Sequence, residues 1–567
     1  MFITIFAWLY ISFSCAIWGK IMLHSIQRIL GREQVNSFHF SFICLLGLSG
    51  ITVFASFLSL FIPVGGWLFQ VILLLSTIIF FLLKTTGSFF AGLKKQLKSL
   101  HPVLIFLFCC CVVMLLVMST WTINHPDTLA YHAQTIQWIE KYKAVPGIAN
   151  LHIRYGYQGL WFVSCAIFSF RFINLDALTF INSTILVWYF FFIIQKIHEN
   201  ILPGKNKIVA FLWLVLAAIS ILSYTQVRLT ATSASPDFIA SLFVWSAFFL
   251  LLEKKTTDQQ NIQWILIILF SSFAITLKLS VLPIMLTVLY AAYKLIQKKQ
   301  IRSLVISCII FILIFSSYLV RNVISSGYPL FPSPYPDIVN VDWKVDKTET
   351  KLERDYIKAY ARSPVDHTEE KIRNKLTMKF NEWIPVWWTN QSVADKISIL
   401  LAVLAFVLLL INIKMIANSG ENIKCALVIS IAGCIFWFTQ APDPRFGFGF
   451  IISFPAIVMS MVLPRFLKTG KLLPKKILIV CSLIFSLIIA AYNFYRFKNF
   501  FTFQQIVQPL GITKIPFKTI QCNGIDFRIP LQNGACGTTG IPCVYDDCKE
   551  FMPRGNKIVD GFKGRNH

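Results

Sequence analysis

Apolar runs of about 17 to 25 residues recur along almost the whole chain, and as helices each is long enough to cross a hydrocarbon layer roughly 30 Å thick. Barrel strands are excluded, because they are about 10 residues long and alternate polar with apolar residues, which residues 103–117 do not do. With 56% of its residues hydrophobic and 14% charged, the chain has the bilayer as its solvent. The expected class is therefore all-α and polytopic. Residues 1–18 are apolar from the start, without a basic leader or a small-residue cleavage site, and read as a retained first helix.

The net charge of +26 does not point to nucleic acid, since Lys and Arg fall in short clusters between the apolar runs. These clusters are Lys20/Arg28/Arg32, Lys84/Lys94/Lys95/Lys98, Lys196/Lys205/Lys207, Lys254/Lys255, Lys294/Lys298/Lys299/Arg302, Lys414/Lys424 and Arg465/Lys468/Lys471/Lys475/Lys476. Placed in the cytoplasm, they leave residues 124–156, 225–237, 278–280, 321–392, 441–449 and everything from 495 onward on the other side. The count is about 14 crossings of the inner (plasma) membrane, with both termini extracytoplasmic. Residues 159–170 are too short for a span and read as a re-entrant or interfacial helix. Residues 1–494 then form the transmembrane domain, with outer loops 124–156 and 321–392, and residues 495–567 form an extracytoplasmic tail. No internal repeat is visible, which argues against the repeat-built transporter folds.

Ten of the fourteen cysteines lie in apolar runs, where a thiol behaves as a small hydrophobe. Cys522, Cys536, Cys543 and Cys548 crowd the polar tail and read as two disulfides of undetermined pairing. A zinc site competes, but no pair has CxxC spacing.

The outer segments hold the candidate chemistry. The first carries Asp127, Tyr131 and His132, an amphipathic stretch to Tyr142, a break at Pro146-Gly147, and then His152 and Arg154. Asp127 fits a helix cap as well as a catalytic role. Elsewhere Asp237 follows Ser233-Ala234-Ser235-Pro236, Lys278 ends an apolar run, and Asp443 and Arg445 sit among two prolines and two glycines. Lys278 fits lipid snorkelling and Asp443 a local turn with Pro444. In the longest outer segment, Leu352, Tyr356 and Tyr360 recur at helical spacing, and the alternating charges of 344–375 read as a solvated face. Trp383, Trp387 and Trp388 read as a membrane-interface belt.

An acid in an outer loop after an apolar span, an aromatic residue four positions on, and an interfacial helix after that resemble the opening of the GT-C superfamily of polyprenyl-phosphate-sugar glycosyltransferases. Asp127 and Tyr131 carry the match, while Thr128 stands where a second acid is often found. Arg321-Asn322 with Gly327-Tyr328-Pro329-Leu330-Phe331-Pro332 resembles a segment after a late span in some bacterial members. The resemblance covers roughly residues 100–460. It implies transfer of a sugar from a polyprenyl-phosphate donor to a glycan, lipid or protein acceptor on the non-cytoplasmic face. Asp127 is then the general base, with Arg154, Lys278, Arg321 and Arg445 against the departing phosphate and His132 and His152 orienting the acceptor or tuning Asp127. Asp237, Asp443 and Tyr131 complete the substrate site. Such a site admits a divalent metal, and the missing second acid weakens that assignment without deciding it. An O-antigen-type polymerase or ligase, and a polysaccharide or lipid transporter or flippase, are the alternative readings.

Overall fold

In the computed structural model the described residues are all but 32–37, 124, 176, 202–223, 254–256, 467–474, 532–534, 546–547, 549 and 566–567. Among them eleven helices are long and apolar enough to cross a membrane, and three shorter apolar helices, Trp67–Leu82, Leu160–Ile173 and Asp237–Leu252, accompany them. The apolar window of Gln259–Leu277 is 94% buried and that of Val393–Ile411 only 11%, so the former runs through the centre and the latter along the periphery. The chain is thus a polytopic helical protein. The helix Leu160–Ile167 has every residue buried, so it is embedded among its neighbours instead of lying on the surface. Its eight residues reach about 12 Å, too short to cross.

The first two helices, Phe2–Ile29 and Phe40–Leu58, meet backbone to backbone. A β-carbon on Gly19 would stand 1.9 Å from the Ile43 carbonyl oxygen, and one on Gly47 1.8 Å from that of Cys15. Small residues at such crossings let helices approach where lipid supplies no hydrophobic drive.

Side-chain contacts sort the loops into two ends. At one end Gln195 meets Gln96, Lys196 pairs with Glu253, Lys294 with Glu421, and Lys298 donates to Gln260. The exposed Lys94 and Lys98 belong to this end. Lys20 differs from expectation, because it lies inside the first helix and is buried there. Arg32, Lys205, Lys207, Lys254, Lys255, Lys468 and Lys471 lie outside the described residues.

At the other end the turn after Leu58 meets the 120–158 loop, with Ala144 N–H donating to the Ser59 carbonyl and Val64 N–H to that of Ile139. Gly147, at φ +66°, closes the break that Pro146-Gly147 signals and donates to the Ile324 carbonyl. The Met1 amino group donates to the Gln505 carbonyl, which places it beside the segment around Gln505.

The tail departs from the all-α expectation. Strands β1 (Phe517–Cys522) and β2 (Ile525–Pro530) form an antiparallel hairpin, and β3 (Phe551–Pro553) pairs with β4 (Phe562–Gly564). Asn523 and Gly524 both have positive φ, the two-residue turn that Asn-Gly favours. Disulfides join Cys522 to Cys548 and Cys536 to Cys543. Phe527, Phe551 and Phe562 share one core with Trp138, Ile148, Leu151 and Tyr155. The tail therefore packs against residues 138–155.

Candidate functional site

Asp127 stands just before a π-helical turn, Thr128–His132, that leads into the helix Ala133–Lys141. Such turns are rare and often mark functional positions. The Asp127 carboxylate accepts a hydrogen bond from Arg445 Nη1 at 2.9 Å. Arg445 is in the first turn of Pro444–Phe466, and its Nε and backbone N–H both donate to Asp443, at 2.9 and 3.1 Å. Asp237 Oδ2 is 3.8 Å from Arg445 Nε, and the other oxygen of Asp237 takes the Lys278 ammonium.

Local structure explains why these groups project here. Asp237 opens the helix Asp237–Leu252, where a negative charge complements the exposed N–H groups. Lys278 sits in an extended break between Thr257–Leu277 and the 3-10 turn Leu279–Ile284. The Phe446 ring lies under both cations, 3.9 Å from Lys278 Nζ and 4.8 Å from the Arg445 guanidinium carbon. Trp387 donates its indole N–H to the Pro442 carbonyl at 2.6 Å and Trp437 to the Asp443 carbonyl at 2.7 Å. Trp383 and Trp387 are buried beside Trp437 and Ile451, so they brace this loop from inside the protein instead of forming a lipid-facing belt.

Asp127, Asp237, Asp443, Lys278 and Arg445 carry one more negative charge than positive. Burial, the largest single influence, opposes the charge on Asp127, yet Arg445 together with His132, His125 and Arg154 outweighs it and holds this carboxyl well below the usual carboxylate range. The Asp127 side chain is 25% exposed and that of Arg445 23%, so the pair remains open to an incoming ligand. Among the described residues no three His, Cys, Asp or Glu side chains form a group suited to a metal ion. The Arg445 guanidinium bridges these aspartates.

A second cluster adjoins the first through Tyr131. The Arg154 guanidinium lies 5.9 Å from the Tyr131 ring centre and 5.2 Å from that of Tyr356, and its Nε is 3.2 Å from Glu353 Oε1. Tyr157 donates to the same Glu353 oxygen, and His367 Nε2 lies 2.8 Å from the other. Glu353 is fully buried on the helix Lys347–Arg362. Burial opposes its charge, but His367 and Arg154 draw its pKa below the ordinary glutamate value. The helix is where the spacing predicts it, but it packs through Thr350, Glu353 and Ala359, and Tyr360 is exposed. The charged stretch is therefore not a wholly solvated face.

His132 and His152 are both pushed down to about 3 by burial. His132 Nδ1 is 3.0 Å from Thr128 Oγ1, with its ring against Tyr131, which puts it beside Asp127. His152 instead packs against Tyr545 at 4.6 Å between ring centres. Arg321 is buried elsewhere at the same end, donating to Gln158 Oε1 at 2.7 and 3.2 Å and to Ser59 Oγ at 2.6 Å. The structure thus brings Asp127, Tyr131, His132, Arg154, Asp237, Lys278, Asp443 and Arg445 together and leaves Arg321 and His152 in the surrounding frame. Glu353, Phe446 and Trp387 were not among the sequence candidates.

A bundle of apolar helices with ionic clusters at the ends of its spans defines a polytopic helical membrane protein. The chain belongs to the family described as "Domain of unknown function (DUF8201)", whose model matches residues 1–452. No curated protein and no solved structure matches it.

Proposed function

We propose that the chain is a membrane glycosyltransferase of GT-C type, with about 14 crossings, that moves a sugar from a polyprenyl-phosphate donor to an acceptor on the non-cytoplasmic face. The observation that carries this reading is the meeting of Asp127 with Arg445, Asp443, Asp237 and Lys278, drawn from four separate stretches of chain.

In the reaction an acceptor hydroxyl attacks the anomeric carbon as the bond to the phosphate oxygen breaks, and the lipid phosphate leaves with the electron pair. Asp127 accepts the hydroxyl proton. Its resting ion pair makes it a weak base. A donor phosphate that draws the Arg445 guanidinium toward itself relieves that pairing and raises the basicity of Asp127 as the donor seats. Arg445 and Lys278 then stabilise the charge growing on the leaving group, in surroundings drier than bulk water. Arg154, with Tyr131 and Tyr356, offers a flat face beside the carboxylate for a sugar ring.

Transport is the competing reading. It calls for charge pairs midway along the spans, whereas Asp127, Asp237, Lys278 and Arg445 lie at span ends. The test is transfer of labelled sugar from a panel of polyprenyl-phosphate donors by the purified protein in nanodiscs. Folded protein that transfers from none of them, yet moves a lipid-linked glycan across proteoliposomes, would replace this reading with transport.

A further inference from the structure

The segment 505–545 lies beyond the residues matched by the family, yet it holds the Asp127 turn from both sides in sequence. Upstream, Leu510 N–H donates to the Thr120 carbonyl at 3.0 Å, and Ile123 N–H donates to the Gly511 carbonyl at 3.0 Å. Downstream, Gly537 N–H donates to the Leu129 carbonyl at 2.8 Å and the Tyr545 hydroxyl to that of Ala130 at 2.6 Å. The Gln134 amide donates back to the carbonyls of Gly537 at 3.0 Å and Thr539 at 2.7 Å.

Three of these six bonds go to one small ring. The disulfide between Cys536 and Cys543 closes a loop that contains Gly537 and Thr539. The Cys543 carbonyl accepts from the Tyr155 hydroxyl at 3.1 Å, and Cys536 N–H donates to the Tyr545 hydroxyl at 3.3 Å. A π-helical turn is a rare departure from the α-helix, and this one is held by outside partners at Leu129 and Ala130. Here those partners come from a disulfide-closed loop about 400 residues away in sequence.

We infer that residues 536–545 position Asp127: the loop closed by the Cys536–Cys543 bridge clamps the Thr128–His132 turn and thereby holds the carboxylate against Arg445. Tyr545 is a positioning residue in this scheme and touches no substrate. The functional consequence rests on Asp127 being the base, but the clamp itself does not.

Hydrogen exchange of the full-length protein in nanodiscs separates the two. Three samples are compared with the oxidised protein: Cys536→Ser with Cys543→Ser, Tyr545→Phe, and the wild type reduced in place by a phosphine. Peptides covering 126–142 are expected to exchange about tenfold faster in the first and third, and less so in the second. Peptides from Phe40–Leu58 should not change. In the transfer assay Tyr545→Phe should lower kcat severalfold at unchanged donor KM. Unaltered protection of 126–142 in all three samples overturns the inference, as does a uniform loosening that includes Phe40–Leu58. Full transfer by Asp127→Asn would remove the base assignment and leave the exchange result standing.

Discussion

Asp127→Asn separates a proton acceptor from a mere holder of Arg445. The amide oxygen still accepts from Arg445 Nη1, and Arg445 keeps Asp443 at 2.9 Å and Asp237 at 3.8 Å. Both members of the Asp127–Arg445 pair are about a quarter exposed, so after screening the lost charge is worth about 1 kcal/mol. Losing the surplus negative charge of the cluster offsets part of that. The melting temperature should therefore move by no more than about 3 °C. Transfer should fall about 100-fold or more, equal to about 2.7 kcal/mol of barrier. Asp443→Asn is the matched control, since it makes the same charge change against the same guanidinium. It should keep transfer within about tenfold of wild type, because Asp443 takes no proton. The assay is initial-rate sugar transfer in nanodiscs with a donor-binding control. Equal losses in the two variants would refute the base assignment and leave both carboxylates as braces for Arg445.

The folded His132 and His152 titrate near about 3, whereas unfolded histidine titrates near about 6.5, so between those values the unfolded chain binds protons that the folded chain refuses. Stability should be highest above pH about 6.5 and fall as the pH is lowered; replacing both by Gln should flatten melting temperature between pH 7.5 and 5, and an unchanged slope would contradict the cause. Non-reducing peptide mapping should recover the pairs Cys522–Cys548 and Cys536–Cys543, and any other pairing, or free thiols, would refute the tail structure. Lys351→Cys and Lys94→Cys should label from opposite sides of the membrane, and labelling from one side would overturn the assignment of ends. Gly47→Ala forces a methyl onto the Cys15 carbonyl and should cost about 1–3 kcal/mol, measured by unfolding in mixed micelles; wild-type stability would show that the helices do not meet there.

The spans were legible because length and apolarity alone identify them, and Asp127, Asp443 and Arg445 because loops fixed by proline and glycine are visible in sequence. Glu353 was not, since an acid amid alternating charges looks solvated until Arg154 and Tyr157 of one distant turn, and His367 fourteen residues on, close over it. Arg321 shows the reverse case, where a cation at a span end suggests phosphate and the structure gives it Gln158 and Ser59. Trp387 looked like a lipid anchor because periodicity cannot tell a lipid-facing indole from one turned inward to a carbonyl. The first tail hairpin did carry a sequence signal, Asn523-Gly524 between β-forming residues. Its docking on the 138–155 segment depends on contacts between residues hundreds of positions apart, and no local pattern encodes those.

The bond from Tyr545 to Ala130 joins residues 415 apart in the chain. At synthesis rates of about 5–20 residues per second, the Asp127 turn waits some 20–80 s for its last partners after it has itself been made. During that interval the earlier spans can enter the bilayer, but the turn lacks the carbonyl acceptors and donors that the final segment supplies. A ribosome stalled before residue 537 therefore leaves an inserted protein with an unfinished outer surface. Assembly order thus keeps the surroundings of Asp127 immature until Tyr545 has been translated.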